Sequence, residues 1–352
     1  MDQNKNKQRK KNFRLVKAVA TTTAITLGAV FFLSGCSKSS SPPTTSSSGS
    51  AQQTTGLSPV YQALDKDFPD PTLLKDGNTY YAYGTISAGF NVPMATSTDN
   101  KTYSLVGDAL PKLPAYANGK VVTAPTVVKL GNQYVMYVDV QVNGQYVIAT
   151  ATSATAQGPF TPTAKPLISP SMAGSNVFDS NYFTVGGKNY LAYNTDGGMS
   201  RAIWITEISA DGLSLVGSPT KVLGVSGVKN PYGSTPTERV ESPAMMVAPD
   251  GTFVLAYCSG DASADNYYTG YATSKSLLGP YTDQGPLLTQ ENLKVNGPGE
   301  TSVFVDGSQQ YFAFNGWVGE HTGFTIKNGG RYLYLLNFEW KDGHIPVFKT
   351  SN

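Results

Sequence analysis

The chain has 352 residues, with 26 Lys+Arg against 24 Asp+Glu and a formal net charge of +2. Seven of the basic residues and one acid lie in residues 1–35, which leaves 19 basic and 23 acidic residues, a body of about −4. That excludes the basic face a nucleic-acid binder needs. Two Cys and two His exclude a disulfide scaffold and a Cys/His-rich zinc site. Charged residues are 14% of the chain, against a usual ~25%. Abundant Gly and Tyr, with Ser and Thr, suit strands and tight turns better than exposed amphipathic helices.

Residues 1–17 are basic, and residues 18–33, AVATTTAITLGAVFFL, carry no charge. A basic region, an apolar run and small residues make a secretory signal. Sixteen apolar residues fall short of the ~20 that span a bilayer. The ending Leu33-Ser34-Gly35-Cys36 resembles the lipobox of bacterial lipoproteins. The resemblance implies cleavage before Cys36 and a lipid on it, so residues 1–35 are a signal peptide. Residues 36–57 form a lipidated linker rich in Ser, Thr and Pro, which cannot bury a core. The expected location is the extracellular face of a bacterial cell membrane, reached through the lipid anchor only.

From residue 58 one segment recurs: a short apolar run, a Gly turn, then an aromatic strand. The copies are PTLLKDGNTYYAY (71–83), PTVVKLGNQYVMY (125–137), SNYFTVGGKNYLAY (180–193), SPAMMVAPDGTFVLAY (242–257) and TSVFVDGSQQYFAF (301–314). Their closing aromatics, Tyr83, Tyr137, Tyr193, Tyr257 and Phe314, are spaced by 54, 56, 64 and 57 residues. Each copy reads as a hairpin, and a near-constant period marks a repeat architecture. Further short strands lie between copies, such as Val147–Thr152 and Ala202–Ile208, and no long amphipathic helix appears. The expectation is an all-β, five-bladed β-propeller over residues 58–352. Blades tile near 58–115, 116–170, 171–230, 231–290 and 291–352. A pair of β-sandwiches would not repeat one hairpin so regularly.

The first strand of each blade lines the axis, so residues just before it become neighbours. These are Asp70, Ala124, Asp179, Glu241 and Glu300, four of them acids. Each acid alone has an ordinary role: Asp-Pro turns are common, and Asp179 can cap a turn. Glu238 is a rival to Glu241, although an odd offset puts it on the other face of a strand. The joint pattern is what points to chemistry. Crowded carboxylates raise one another's pKa and suit acid–base work. Paired carboxylates fit glycoside hydrolysis.

The motifs FPDP, FDSNYF, VESPAM and GPGETSVF resemble the blade signatures of glycoside hydrolase family 43, across roughly residues 64–350. The resemblance implies an inverting hydrolase of arabinose- or xylose-containing plant polysaccharides or oligosaccharides. It implies Asp70 as general base, Glu241 as general acid and Asp179 as the group that tunes and orients Glu241. Thr126 stands where the family often has an acid. Glu300 replaces a family His that lies near an axial ion, and a carboxylate suits a hard cation, so Glu300 is a candidate ligand of a structural Ca²⁺. No other cofactor is expected. Phe90 and Trp317 are candidate sugar platforms. Cys258 reads as a small buried residue. His321 and His344 read as surface or loop residues, and Asp261 and Asp265 as members of a solvated loop. The expected protein is a monomer. The competing readings are a non-catalytic carbohydrate-binding lipoprotein and a retaining five-bladed enzyme of the invertase type.

Overall fold

A computed structural model describes residues 59–197, 201–229, 231 and 239–350. The expected signal peptide (1–35), the expected lipidation site Cys36, the expected linker (36–57) and Glu238 lie outside the described residues. Gln52–Asn352 forms one compact unit, and what is described of it is almost wholly strand.

After β1 (Tyr61–Leu64), the first blade is β2 (Thr72–Asp76), β3 (Thr79–Tyr83), β4 (Pro93–Ser97) and β5 (Ser104–Asp108). The second is β6 (Val122–Leu130), β7 (Gln133–Val142), β8 (Gln145–Ser153) and β9 (Thr161–Pro162). The third is β10 (Asn176–Val185), β11 (Lys188–Asp196), β12 (Ala202–Ile208) and β13 (Leu215–Gly224). The fourth is β14 (Glu241–Val247), β15 (Phe253–Ser259), β16 (Tyr268–Ser274) and β17 (Thr282–Leu288). The fifth holds β18 (Asn296–Asp306), β19 (Gln309–Thr322) and β20 (Thr325–Lys341), with β21 (Ile345–Val347) paired to β20. All pairings are antiparallel, and each repeated hairpin forms the first two strands of its blade. The expected five-bladed propeller is observed. Among the described residues the α-helices are two four-residue pieces, Pro170–Ala173 and Gln290–Leu293.

One part of the tiling differs. β1, placed in the first blade from sequence, completes the fifth: it pairs with β20, Tyr61 opposite Leu335 and Leu64 opposite Leu333. The reason is closure. Pairing the chain's start with its end locks the ring, because the strand that completes the last blade runs directly into the first. Innermost strands β2, β6, β10, β14 and β18 then touch in cyclic order.

Each blade is buried on both faces, which explains the near-continuous apolar runs. Along β15, Leu255 and Tyr257 enter one cluster with blade three, while Val254 and Ala256 enter another with blade five. The period-2 alternation of a strand makes this split. Five such clusters fill the five spaces between blades. The closing aromatics are all within these clusters. Tyr83 also donates to Ala156 O at 2.7 Å and Tyr137 to Gly212 O at 3.0 Å, each reaching into the next blade.

Candidate active site

One backbone feature recurs on all five innermost strands. Asp70, Ala124, Asp179, Ser242 and Glu300 have φ between 48° and 54°. This left-handed conformation is uncommon outside Gly. The pairing register slips around four of them, between Thr123 and Thr126, Phe178 and Asn181, Glu241 and Ala244, and Gly299 and Ser302. These are β-bulges, which re-aim a side chain. All five residues line a single cavity on the axis.

Each bulge is held by the preceding blade. The N–H of Asp70 donates to Asn315 Oδ1 at 2.8 Å, and that of Ala124 to Thr85 Oγ1 at 2.8 Å. Asp179 N–H donates to Asp139 Oδ2 at 3.0 Å, Ser242 N–H to Asn194 Oδ1 at 3.1 Å, and Glu300 N–H to Cys258 Sγ at 3.1 Å. Every acceptor stands one or two residues past a closing aromatic. Cys258 is therefore a buried peg between blades; burial pushes its thiol up, away from nucleophile chemistry.

This pattern corrects the repeat register. Ser242, not Glu241, occupies the bulge position of blade four. Three acids, not four, are strictly equivalent. Glu241 stands one residue earlier, as Thr123 and Phe178 do in their blades, and these three line a cavity of about 400 Å³ at the mouth. Asp70, Asp179 and Glu300 also reach that outer cavity, so the four acids still meet.

Asp70 is fixed by two donors, Arg331 Nη1 to Oδ1 at 3.1 Å and Thr85 Oγ1 to Oδ2. That suits an acceptor-only carboxylate. Across the cavity, Arg239 Nη1 lies 3.3 Å from Glu241 Oε2, and Tyr267 O–H lies 2.8 Å from Oε1. Burial raises the Glu241 pKa, opposed by Arg239 and Tyr267. Burial pushes Asp179 well above the usual carboxylate range, with Glu300 and Asp139 adding to it. Asp179 Oδ2 accepts from Ser242 N–H at 3.2 Å, and Ser242 Oγ lies 3.3 Å from the same oxygen. Its direct grip is on Ser242, the residue after Glu241.

Sequence reasoning missed several residues here. Asp139, fully buried and also pushed up by burial, sits in the run YVMYVDV, where an acid among apolar residues is a readable signal. Tyr267 lies in the loop GDASADNYY, whose acids are its more evident feature. In that loop Asp261 Oδ1 accepts from Ser263 N–H at 3.0 Å, and Asp265 pairs with His321 at 3.1 Å. His344 pairs with Asp250 at 3.2 Å. Arg331 and Phe324 come from the long β19–β20 hairpin and carry no sequence signal.

The expected platforms are placed differently. Trp317 is 3% exposed; it stacks on His321 with ring centroids 4.2 Å apart and lies behind Phe324. Neither Trp317 nor Phe90 lines the outer cavity; Phe324, Phe178 and Tyr146 do. Phe90 is instead bridged to Ser87 in a tight turn. Phe324 is 60% exposed at the hairpin tip, with the Arg331 guanidinium 5.4 Å from its ring centroid.

The residues around Glu300 do not fit the axial Ca²⁺ that the resemblance implies. Both carboxyl oxygens already meet hydroxyls, Ser242 Oγ at Oε2 and Tyr267 O–H at Oε1, 2.6 Å away. Among the described residues no group of three His, Cys, Asp or Glu side chains could hold a metal ion.

Five blades that converge several carboxyls on one open cavity define a propeller enzyme built for acid–base chemistry. The family model of glycosyl hydrolases family 43 matches residues 59–346. The chain belongs to that family and is an O-glycosyl hydrolase. Solved structures share the fold. A thermostable family-43 glycoside hydrolase is 23% identical with a TM-score of 0.69, covering 83% of this chain and 96% of its own. An endo-1,4-beta-xylanase of Bacteroides thetaiotaomicron VPI-5482 is 22% identical with a TM-score of 0.66, covering 82% and 95%. An endo-arabinase of the same organism is 17% identical with a TM-score of 0.66, covering 81% and 100%. No curated protein matches the sequence.

Proposed function

We propose that the protein is an inverting glycoside hydrolase of arabinose- or xylose-containing plant polysaccharides or their oligosaccharides. The observation that carries this is the pairing of Asp70 and Glu241 on two blades, each with its own cationic partner, around one cavity. Asp70 accepts a proton from water as the water oxygen bonds the anomeric carbon. Glu241 gives its proton to the departing glycosidic oxygen as that bond breaks. Inversion needs room for the water, so the two carboxyls should stand ~6.5–9.5 Å apart when substrate is bound. Asp179 holds Ser242 and thereby the approach of Glu241.

The pentose assignment draws on the xylanase and arabinase names of the structural neighbours. The aromatic rim of Phe324, Phe178 and Tyr146 suits the apolar faces of a sugar chain. The segment ending at Cys36 supports export and lipid anchoring outside the cell membrane. The test is release of sugar from arabinan and xylan, with the anomer followed by NMR. Inverted product, lost in Glu241→Gln and in Asp70→Asn, is expected. Initial retention would defeat the assignment and favour an invertase-type reaction. Binding without hydrolysis would favour a carbohydrate-binding protein.

A further inference from the structure

Tyr267 is buried just before β16, and its hydroxyl meets two carboxyls, Glu241 Oε1 at 2.8 Å and Glu300 Oε1 at 2.6 Å. A phenol has one proton and can donate to only one of them. The other contact is a hydrogen bond only if that carboxyl is protonated and donates to the phenol oxygen. Two ionised carboxylates around one hydroxyl would leave lone pairs opposed in a buried site, a costly arrangement. The pair therefore holds at least one proton of its own.

The acid role of Glu241 decides the direction. A proton on Oε1 would point at Tyr267 and away from any substrate. A transferable proton must sit on Oε2. Oε1 must then accept from Tyr267, and the Tyr267 oxygen is left to accept from Glu300. The arrangement runs one way, Glu300 O–H to Tyr267 O–H to Glu241 Oε1. Ser242 Oγ meets the remaining Glu300 oxygen and also Asp179 Oδ2.

We propose that Glu300 is a positioning residue that works as a neutral carboxylic acid, orienting the Glu241 proton through Tyr267 in place of an axial cation. Its surroundings favour that form. Burial raises it first, and Asp70 and Glu241 add to this, so its carboxyl is pushed up to about 8. Asp139 and Asp179 face the same centre, and Cys258 and Tyr267 close it from blade four.

The inference rests on Glu241 being the general acid, and leaving-group dependence separates the two claims. Protonation matters for a sugar leaving group and hardly at all for 2,4-dinitrophenolate. The experiment compares kcat on arabino- or xylo-oligosaccharide with kcat on the matching 2,4-dinitrophenyl glycoside. Tyr267→Phe and Glu300→Ala should lose about 30-fold on the oligosaccharide, within the range of general-acid effects, and far less on the aryl glycoside. Glu300→Gln, whose amide still donates, should recover most of the Glu300→Ala loss. EDTA and added Ca²⁺ should change neither wild type nor variants. Equal losses on both substrates would overturn the inference. So would Glu300→Gln as impaired as Glu300→Ala, or loss of wild-type activity in EDTA with recovery in Ca²⁺. If Glu241→Gln itself shows no leaving-group dependence, the acid assignment fails first. Thermal unfolding of each variant confirms that the fold is retained.

Discussion

The blade-to-blade pegs make a sharp prediction at Asn315. Asn315 is 2% exposed, and its Oδ1 takes the Asp70 N–H at 2.8 Å. Asn315→Ala deletes that acceptor. Asp70 holds a left-handed backbone at φ 54°, a conformation that persists only where surroundings fix it. A donor left unsatisfied costs about 1–3 kcal/mol. Loss of the buried amide volume adds to this, so about 2–3 kcal/mol is expected. In a domain of this size that is a fall of roughly 3–5 °C in Tm. Because the same peg aims Asp70, the proposed general base, kcat/KM should fall about tenfold, a shift of ~1.4 kcal/mol in the barrier. Asn315→Asp keeps an acceptor and should recover most of the Tm. Calorimetry and steady-state kinetics read both effects. An Asn315→Ala protein that melts within about 1 °C of wild type, at unchanged kcat/KM, would refute the idea that neighbouring blades hold the bulges.

Phe324→Ala should raise KM for long oligosaccharides about tenfold, leave short aryl glycosides nearly unaffected, and change stability by less than ~0.5 kcal/mol, since the ring is mostly exposed. Leu255→Ala, at a fully buried position between blades three and four, should cost about 2–5 kcal/mol in denaturant unfolding. Glu300 gives a pH signature. Its folded pKa of about 8 lies above the ordinary 4.5, so the unfolded chain releases this proton first as pH rises. The stability tied to this group is full below pH 4.5 and falls until about pH 8. Melting curves of wild type should therefore drop relative to Glu300→Gln across that window, and parallel curves would count against a protonated Glu300. Burial likewise raises Glu241, so kcat/KM should fall on the alkaline side as its proton is lost, which a pH–rate profile measures.

The five hairpins are legible in the sequence because strand, turn and aromatic closure are local and recur at one period. Both faces of each blade are buried, so apolar runs such as Val254–Cys258 stand out along the chain. The same repetition picks out the acids at Asp70, Asp179 and Glu300. It picks out Glu241 as well, but under a wrong equivalence. A one-residue slip is invisible in sequence when a bulge absorbs it, and only the backbone shows Ser242 at the shared position. The placement of β1 fails for another reason: its partner β20 lies at the far end of the chain, and only ring closure joins them.

Periodic patterning along the chain is enough to specify the repeat, the blade count and the convergence of carboxyls. Tertiary structure alone decided which groups control those carboxyls. Arg331 and Phe324 reach the cavity from a long hairpin, and Tyr267 meets Glu241 and Glu300 from a loop; neither segment follows the repeat. The Arg331–Asp70 and Tyr267–Glu300 contacts cross blades, and hydrogen bonds between segments far apart in the chain leave no local pattern to read.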